Sequence, residues 1–265
     1  MDEIGRFLIF LEAKSNGHIR GRGGEALHYL VFKMLSSSSE DYANHIHQIT
    51  EKPFAISPMI IAEGEKNVIV SDGFMDIKRG DIYCIIVRCL SGEFISRFRD
   101  ASQESTGRSV ILSRIHFDII DVKEEEMTSY SELLNQRYLP HNAEMDILTP
   151  LSFRSGGVQI LFPLPELIIK SVLSIWNNFA STRIPQNLTD CAKDIRVSGY
   201  ELRTEMIKFS DYNIFGCRGR ISFDLRLIKE EEHLNYLKTL LLYSNYSGIG
   251  YKRTMGMGMV NTSLH

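Results

Sequence analysis

Two side chains suited to acid–base and electrostatic chemistry lie close together in the sequence, His47 and Lys52. Histidine suits proton transfer because its unperturbed pKa of ~6.5 lies near neutral pH, and a lysine ammonium suits the stabilisation of negative charge. The pattern predicts a short helix at 40–48 with His47 in its last turn and Lys52 just before a strand, so both side chains can face one pocket. A helix-end histidine stabilised by the helix dipole is the structural alternative.

The other histidines are weaker candidates for chemistry. His45 lies two positions before His47, and helical residues two apart point to different sides, so these two should not act together or share a metal ion. His18 lies in a glycine-rich loop with Arg20 and Arg22. That loop either clamps phosphates or is simply solvated. The sequence predicts no metal site and no cofactor.

A glycine-rich segment lies near the C-terminus, Gly248-Ile-Gly-Tyr-Lys-Arg-Thr-Met-Gly-Met-Gly258. Glycine permits positive φ and close approach of another chain, and successive N–H groups in such a loop can converge on phosphate oxygens. We therefore predict that this segment binds a phosphate backbone. The predicted binding residues are Gly248, Gly250, Lys252, Arg253, Gly256 and Gly258. The structural alternative is a helix C-cap followed by a tight turn.

Two known glycine motifs do not fit this segment. A dinucleotide-binding fingerprint needs a third glycine where Arg253 stands, and it should open a helix rather than follow one. A P-loop needs Gly-Lys-Ser/Thr after four intervening residues, which the segment lacks.

The composition is that of an ordinary globular chain, with 265 residues, 43% hydrophobic and 24% charged. No apolar run approaches the ~20 residues that span a bilayer, and the N-terminus lacks the blocks of a signal peptide. We therefore expect a cytoplasmic protein without membrane contact. The net charge of −3 argues against a protein that coats nucleic acid non-specifically, but it allows a locally basic groove.

Hydrophobic periodicity predicts the same order of elements twice, β-α-β-β-α-β. The first half has predicted strands at 6–14, 53–62, 67–72, 81–89 and 109–121, with helices at 25–36, 40–48 and 91–102. The second half has predicted strands at 144–154, 195–209, 215–228 and 258–263, with helices after Pro163 and at 230–245. This α+β pattern predicts two tandem ferredoxin-like (RRM-like) domains, 1–142 and 143–265, with the polar stretch 122–142 as their connection.

The glycine-rich segment, continued to Val260, resembles the C-terminal signature of the CRISPR-associated repeat-processing endoribonucleases, the sixth Cas family within the RAMP superfamily. Weaker resemblances keep the family order along nearly the whole chain. They are Lys52-Pro-Phe-Ala-Ile-Ser-Pro58, Leu148-Thr-Pro-Leu-Ser-Phe-Arg154, Trp176-Asn-Asn-Phe179 and Phe215-Gly-Cys-Arg-Gly219.

The resemblance implies two ferredoxin-like domains and an endoribonuclease that binds repeat RNA and cleaves precursor crRNA inside each repeat without metal. The expected products carry a 2′,3′-cyclic phosphate and a 5′-hydroxyl. Such an enzyme must align the 2′-OH, remove its proton, protonate the leaving 5′-oxygen and stabilise the crowded phosphorane.

The resemblance also implies roles for individual residues. His47 is expected to act as general acid or base, and Lys52 as electrostatic stabiliser. Several relatives have a tyrosine where this chain has Phe32, which cannot transfer a proton, and Tyr29 is the alternative source of a hydroxyl. With His28 these aromatic residues point away from the predicted core face of their helix. They either line the cleft or pack on the other domain.

RNA contacts beyond the reaction centre are expected in the second domain. Lys252 and Arg253 should contact the RNA backbone. Arg218 and Arg220 are two further cations expected to contact it. Tyr246 and Tyr251 are candidates for base stacking, which supplies sequence preference where backbone contacts fix register.

Two other functions remain open from the sequence. One is a catalytically silent RAMP protein that holds crRNA inside an effector complex, and the other is a small-molecule enzyme on a ferredoxin-like scaffold. A homodimer or association with other Cas effector subunits is compatible with the sequence, which determines neither the oligomeric state nor the repeat.

Overall fold

The structure is a computed structural model that describes residues 2–62, 73–137 and 140–265, and the backbone of 70–71. Residues 67–69 and 72 of the predicted strand 67–72 lie outside the described residues. Within the described part, no helix combines the length and the apolar character needed to cross a membrane.

Strands and helices alternate through the first half of the chain. The strands are β1 (Glu3–Ala13), β2 (Gly17–Arg20), β3 (Phe54–Ile56), β4 (Ile60–Ile61), β5 (Val70–Ser71), β6 (Phe74–Ile77), β7 (Ile82–Cys89), β8 (Ser109–Leu112) and β9 (Ile115–Ser129). The helices are α1 (Gly24–Ser38), α2 (Glu40–Gln48), α3 (Gly92–Ser105) and α4 (Tyr130–Asn135).

The second half repeats this alternation. The strands are β10 (Asn142–Leu151), β11 (Phe153–Ser155), β12 (Val158–Ile160), β13 (Arg196–Lys208), β14 (Asn213–Asp224) and β15 (Val260–Leu264). The helices are α5 (Pro165–Phe179), α6 (Leu188–Cys191) and α7 (Glu231–Ser247), with 3-10 turns at Ala192–Asp194 and Arg253–Met255.

Each half builds one antiparallel sheet with the same strand order. The first sheet runs β3-β7-β1-β9-β8, with β4 also paired to β7, and the second runs β13-β14-β10-β15. The four strands of the repeated β-α-β-β-α-β order are β1, β3, β7 and β9 in the first half and β10, β13, β14 and β15 in the second. In both sheets the first of these four strands lies between the third and the fourth, and the second strand pairs with the other edge of the third. This is the predicted tandem ferredoxin-like fold, which is therefore confirmed.

Local sequence explains where the helices begin. The Ser39 side chain accepts the Tyr42 N–H at the start of α2, which satisfies one of the unpaired donors of a helix N-terminus. Helix α5 begins at Pro165, a position where proline is well tolerated because its missing N–H is not needed.

Two predictions about strands were wrong. Residues 122–129, predicted to belong to the connection between the halves, continue strand β9, and helix α4 follows at Tyr130–Asn135. The predicted strand 109–121 is a hairpin of β8 and β9, with Ser113 and Arg114 at positive φ in its turn. Charged residues on the exposed face of β9 hid its periodicity from the sequence pattern.

Two hydrophobic clusters form the cores. The first joins β1, β7 and β9 with α1 and α3, and the second joins the second sheet with α5 and α7. Tyr130 and Leu133, from α4, belong to the second cluster, as do Ile4 and Leu90 from the first sheet. The division of the chain at 142/143 stays a prediction.

The glycine-rich segment of the second half docks directly on the first half. A Cβ added to Gly24, at the start of α1, would lie 2.2 Å from the carbonyl oxygen of Met255. A Cβ on Gly256 would lie 3.4 Å from the backbone nitrogen of Pro58. The two halves therefore approach backbone to backbone at this point, which glycine permits because it has no side chain.

We expect Gly24→Ala to lower the free energy of unfolding by roughly 1–3 kcal/mol, the usual cost of overpacking a close contact. Alanine is the better helix former by about 1 kcal/mol, so helix propensity alone predicts the opposite sign. Urea denaturation measures the difference. Gly199→Ala is the control, because a Cβ there meets nothing within 4 Å. A stabilised Gly24→Ala variant would contradict this docking.

Candidate active site and RNA-binding surface

Lys52 lies at the C-terminal end of the helix that carries His47. Its ammonium donates to the carbonyl oxygens of His47, at 3.2 Å, and Ile49, at 2.9 Å. Burial lowers the pKa of Lys52, and the neighbouring Glu51 carboxylate opposes that shift. An ammonium has three N–H donors and these contacts use two, so Lys52 both caps α2 and keeps a donor for another oxygen.

The ring of His47 is exposed and lies edge-on to Phe32, with 5.4 Å between ring centroids. Within the described residues its ring nitrogens have no hydrogen-bond partner on the protein. His47 and Lys52 therefore do lie at one end of one helix, as the sequence predicted. The side chain of His47 is accessible to a ligand.

His28 is a site residue that sequence reasoning did not select. It lies one turn before Phe32 on α1, and its ring centroid is 4.9 Å from that of Phe32. His28 and His47 therefore contact the same phenylalanine from two different helices. The sequence did hold a signal for this contact. His28 and Phe32 are i and i+4 on one helix and therefore share a face, and that face points away from the core.

A contact from the other half of the molecule fixes the tautomer of His28. Its Nδ1 lies 2.9 Å from the carbonyl oxygen of Thr254. A carbonyl oxygen only accepts, so in the neutral ring Nδ1 carries the proton and Nε2 keeps its lone pair. Burial lowers the pKa of His28, the Thr254 hydrogen bond opposes this, and the positive charges of Lys52, His47 and Lys252 add to the lowering.

Tyr29 lies on a different face of α1. Its side chain is 53% exposed and its ring lies 5.9 Å from the Lys33 ammonium, one turn further along the helix. Among the contacts of the described residues, none joins Tyr29 to His47 or Lys52. The structure thus does not bring Tyr29 to the predicted pair, because neighbouring residues on a helix point about 100° apart.

The backbone N–H groups of the glycine-rich segment are largely occupied by protein acceptors. Gly248 donates to Ser244 O and Gly258 to Pro150 O, and Gly250 donates to the Ser171 hydroxyl. The prediction that these three amides converge on phosphate oxygens was therefore wrong. A Cβ on Gly258 would lie 1.8 Å from Ile249 O, so these glycines are needed for the tight fold of the segment itself.

The two cations of this segment have different environments. The Arg253 guanidinium is buried and donates to Ser247 O at 2.7 Å and to the Glu51 carboxylate at 3.0 Å. It therefore holds the two halves together, which corrects its predicted role in contacting RNA. The Lys252 ammonium is partly exposed beside three aromatic rings, with Tyr212 nearest at 4.9 Å from the ring centroid.

The arginines of the first glycine-rich loop also bridge the two halves. The Arg20 guanidinium donates to Phe209 O, at 3.1 Å, and Ser210 O, at 2.6 Å. Arg22 and Arg218 both pair with Glu205, at 3.9 and 3.4 Å. The loop is therefore neither simply solvated nor a free phosphate clamp, because strand β13 and the turn that follows it supply its partners.

The remaining predicted RNA-binding residues lie apart from this site. Arg220 pairs with Asp146 and Glu144 on the neighbouring strand β10. His18 pairs with Asp76 across β2 and β6. Tyr246 packs against the second core, whereas the half-buried Tyr251 packs against a small cluster of Phe209, Ile214 and Met257.

His28 should make stability depend on pH in a defined direction. Its folded pKa lies below the unfolded value of ~6.5, so the unfolded chain binds the proton more readily. The stability contribution is present above about pH 6.5 and is lost as the pH falls through the folded pKa. Urea denaturation of His28→Gln should therefore show a smaller loss of stability between pH 7.5 and pH 5 than the parent protein.

The control for this measurement is His45→Gln, at an exposed position on α2. It should keep the parent pH dependence. An unchanged pH dependence in His28→Gln would show that burial of His28 does not favour the neutral ring.

Comparisons with known proteins show which proteins this chain is similar to. Residues 145–260 match a family model described as CRISPR-associated endoribonuclease Cas6. A Streptococcus thermophilus protein described as CRISPR-associated endoribonuclease Cas6 is 20% identical over 229 residues, which cover 85% of this chain and 86% of that protein. A Mycobacterium tuberculosis protein with the same description is 20% identical over 141 residues, 52% of this chain and 44% of that protein.

Solved structures give the same result for the fold. One described as a Cas6 product complex superposes with a TM-score of 0.82 at 21% identity, over 98% of this chain and 100% of that one. A Cas6 of Thermus thermophilus superposes with a TM-score of 0.68 at 18% identity, over 99% of both chains. Residues 145–260 thus match the Cas6 family model, and the fold of the chain is similar to that of solved Cas6 structures.

Proposed function

We propose that this chain is an endoribonuclease that binds CRISPR repeat RNA and cleaves precursor crRNA within each repeat in the cytoplasm, without metal. The observation that carries the proposal is the convergence of His28 and His47 on Phe32, next to the Lys52 ammonium. The match of residues 145–260 to the Cas6 family model supports the same function. Solved Cas6 proteins are described as product and substrate-mimic complexes.

Two histidines supply the two proton transfers that the reaction needs. His28 acts as the general base on the 2′-OH, because its Thr254 contact leaves Nε2 with a lone pair and its lowered pKa keeps it neutral near pH 7. His47 acts as the general acid that protonates the leaving 5′-oxygen. Attack of the 2′-oxygen on phosphorus breaks the P–O5′ bond and leaves a 2′,3′-cyclic phosphate and a 5′-hydroxyl.

Lys52 supplies electrostatic stabilisation to this reaction. Its remaining N–H donor and its charge are available to the non-bridging oxygens of the phosphorane, where negative charge accumulates. In this proposal Phe32 takes no part in proton transfer and holds the two imidazoles at their separation. Residues 1–142 carry the reaction, and residues 143–265 carry the glycine-rich segment that positions His28 and contributes to RNA binding.

Single-turnover cleavage of a labelled repeat RNA in EDTA tests this function. The parent protein should cleave, and a 2′-deoxy nucleotide at the scissile position should abolish cleavage while binding persists. His28→Ala and His47→Ala should each slow cleavage by about 10²–10⁴-fold, the usual contribution of a positioned acid or base. Lys52→Ala should slow it by about 10²-fold or more.

The matched control is His45→Ala, which removes an exposed imidazole from the same helix as His47. It should cleave at the parent rate. Binding of repeat RNA by the parent protein without cleavage would identify it as a silent crRNA-binding subunit instead. Full activity in His28→Ala would remove His28 from the mechanism.

A further inference from the structure

Two clefts meet at the side chains of Arg154 and Tyr251, and neither cleft belongs to the reaction centre. One, of about 810 Å³, lies between helix α5 and the glycine-rich segment, and its walls include Lys170 and Ser174. The other, of about 770 Å³, lies between the β11–β12 hairpin and the β13–β14 turn, and Tyr212 lines it. Arg154 and Tyr251 contribute to the walls of both.

Cations and aromatic rings alternate along this surface. The Arg154 guanidinium lies 5.6 Å from the centroid of the Tyr251 ring and donates to its hydroxyl at 3.3 Å. The Lys252 ammonium lies 5.4 Å from the same ring and 4.9 Å from that of Tyr212. Tyr212 in turn stacks on Phe209, with 5.1 Å between centroids and 21° between planes.

Such a row has the chemistry of a site for single-stranded nucleic acid. Bases stack on aromatic rings and on guanidinium planes, while ammonium and guanidinium groups neutralise the phosphates between them. Tyr212 is 43% exposed and Arg154 is exposed, so neither is needed to fill a core. Exposed aromatic residues grouped in one patch with a polar rim mark a site of interaction.

The first cleft begins beside the reaction centre. Glu51 lines it, and Glu51 precedes Lys52 in the chain. The Glu51 carboxylate is paired with the buried Arg253, which offsets its repulsion toward a phosphate. A strand of RNA leaving Lys52 can therefore follow the first cleft to Arg154 and Tyr251 and enter the second.

We propose that the Arg154–Tyr251–Lys252–Tyr212 row binds unpaired nucleotides of the repeat RNA that flank the scissile phosphate. This proposal rests on the proposed function and names the part of the substrate that the second half of the chain holds. Tyr251 and Tyr212 stack bases, and Arg154 and Lys252 contact the intervening phosphates. The row thus adds affinity and register, and it takes no part in the bond-breaking step.

The test compares two RNAs. One is the shortest repeat RNA that the parent protein cleaves. The other is the same RNA extended by about six unpaired nucleotides on each side, within the range that single-strand sites occupy. Tyr251→Leu and Tyr212→Leu should each weaken binding of the extended RNA by about five- to a hundred-fold, as expected for loss of one stacked base. Tyr251→Phe, which keeps the ring, should bind like the parent protein.

Two further measurements resolve the contacts. Arg154→Ala should lower the slope of log Kd against log salt by about 0.7, the value for one phosphate of a single strand. A 2-aminopurine moved along the unpaired flank should be quenched at one position, and Tyr251→Leu should restore its fluorescence. The controls are Tyr200→Leu and Arg183→Ala, exposed residues outside both clefts, which should change nothing.

The outcomes separate this inference from the proposed function. If the parent protein neither binds nor cleaves repeat RNA, the proposed function fails. If it cleaves, but the cleft variants bind the extended RNA as tightly as the parent protein and no position is quenched, this inference fails. Single-turnover cleavage at saturating protein should stay near the parent rate in Arg154→Ala, and a large loss there would mean that Arg154 acts in catalysis rather than in binding.

Discussion

The structure depends on the backbone contact between the glycine-rich segment and the start of α1. Gly24 lets the segment reach α1 at a distance that a side chain would crowd, and Gly256 supplies the positive φ that the segment needs next to Pro58. Around this contact the buried Arg253 pairs with Glu51, and the Thr254 carbonyl meets His28. The second half of the chain thereby completes a site whose other parts lie in the first half.

This contact gives the glycines a different role from the one their sequence suggested. Glycine-rich loops often bind phosphate through their amides, but here the amides of Gly248, Gly250 and Gly258 donate to the protein. A signature of this kind can therefore mark a packing requirement, because close backbone approach and phosphate binding favour the same residue. The segment acts on the site through His28 instead. It brings the Thr254 carbonyl close to the His28 ring, and this contact determines which ring nitrogen carries the proton.

The chain has a net charge of −3, and many of its arginines are paired within the protein. Arginines that resemble phosphate ligands by sequence have protein partners: Arg20 and Arg22 pair with carbonyls and a carboxylate of the other half, and Arg218 pairs with Glu205 on the neighbouring strand. Such pairs position the loop and the β13–β14 turn rather than attract RNA over long distances. The cations beside aromatic rings, Lys252 and Arg154, are better suited to RNA because they lie partly in solvent.

The sequence by itself determined the repeated β-α-β-β-α-β order, because each element buries a continuous apolar face whose period can be counted. It also brought His47 and Lys52 together, because only a helix end and a turn separate them. It misread residues 122–129, whose exposed charges obscured strand β9. The role of Arg253 was misassigned because its partner Glu51 is distant in sequence. Only the tertiary structure selected His28 over Tyr29 and joined Arg154 to Tyr251, since these choices depend on contacts between residues 97 to 226 positions apart that no local pattern encodes.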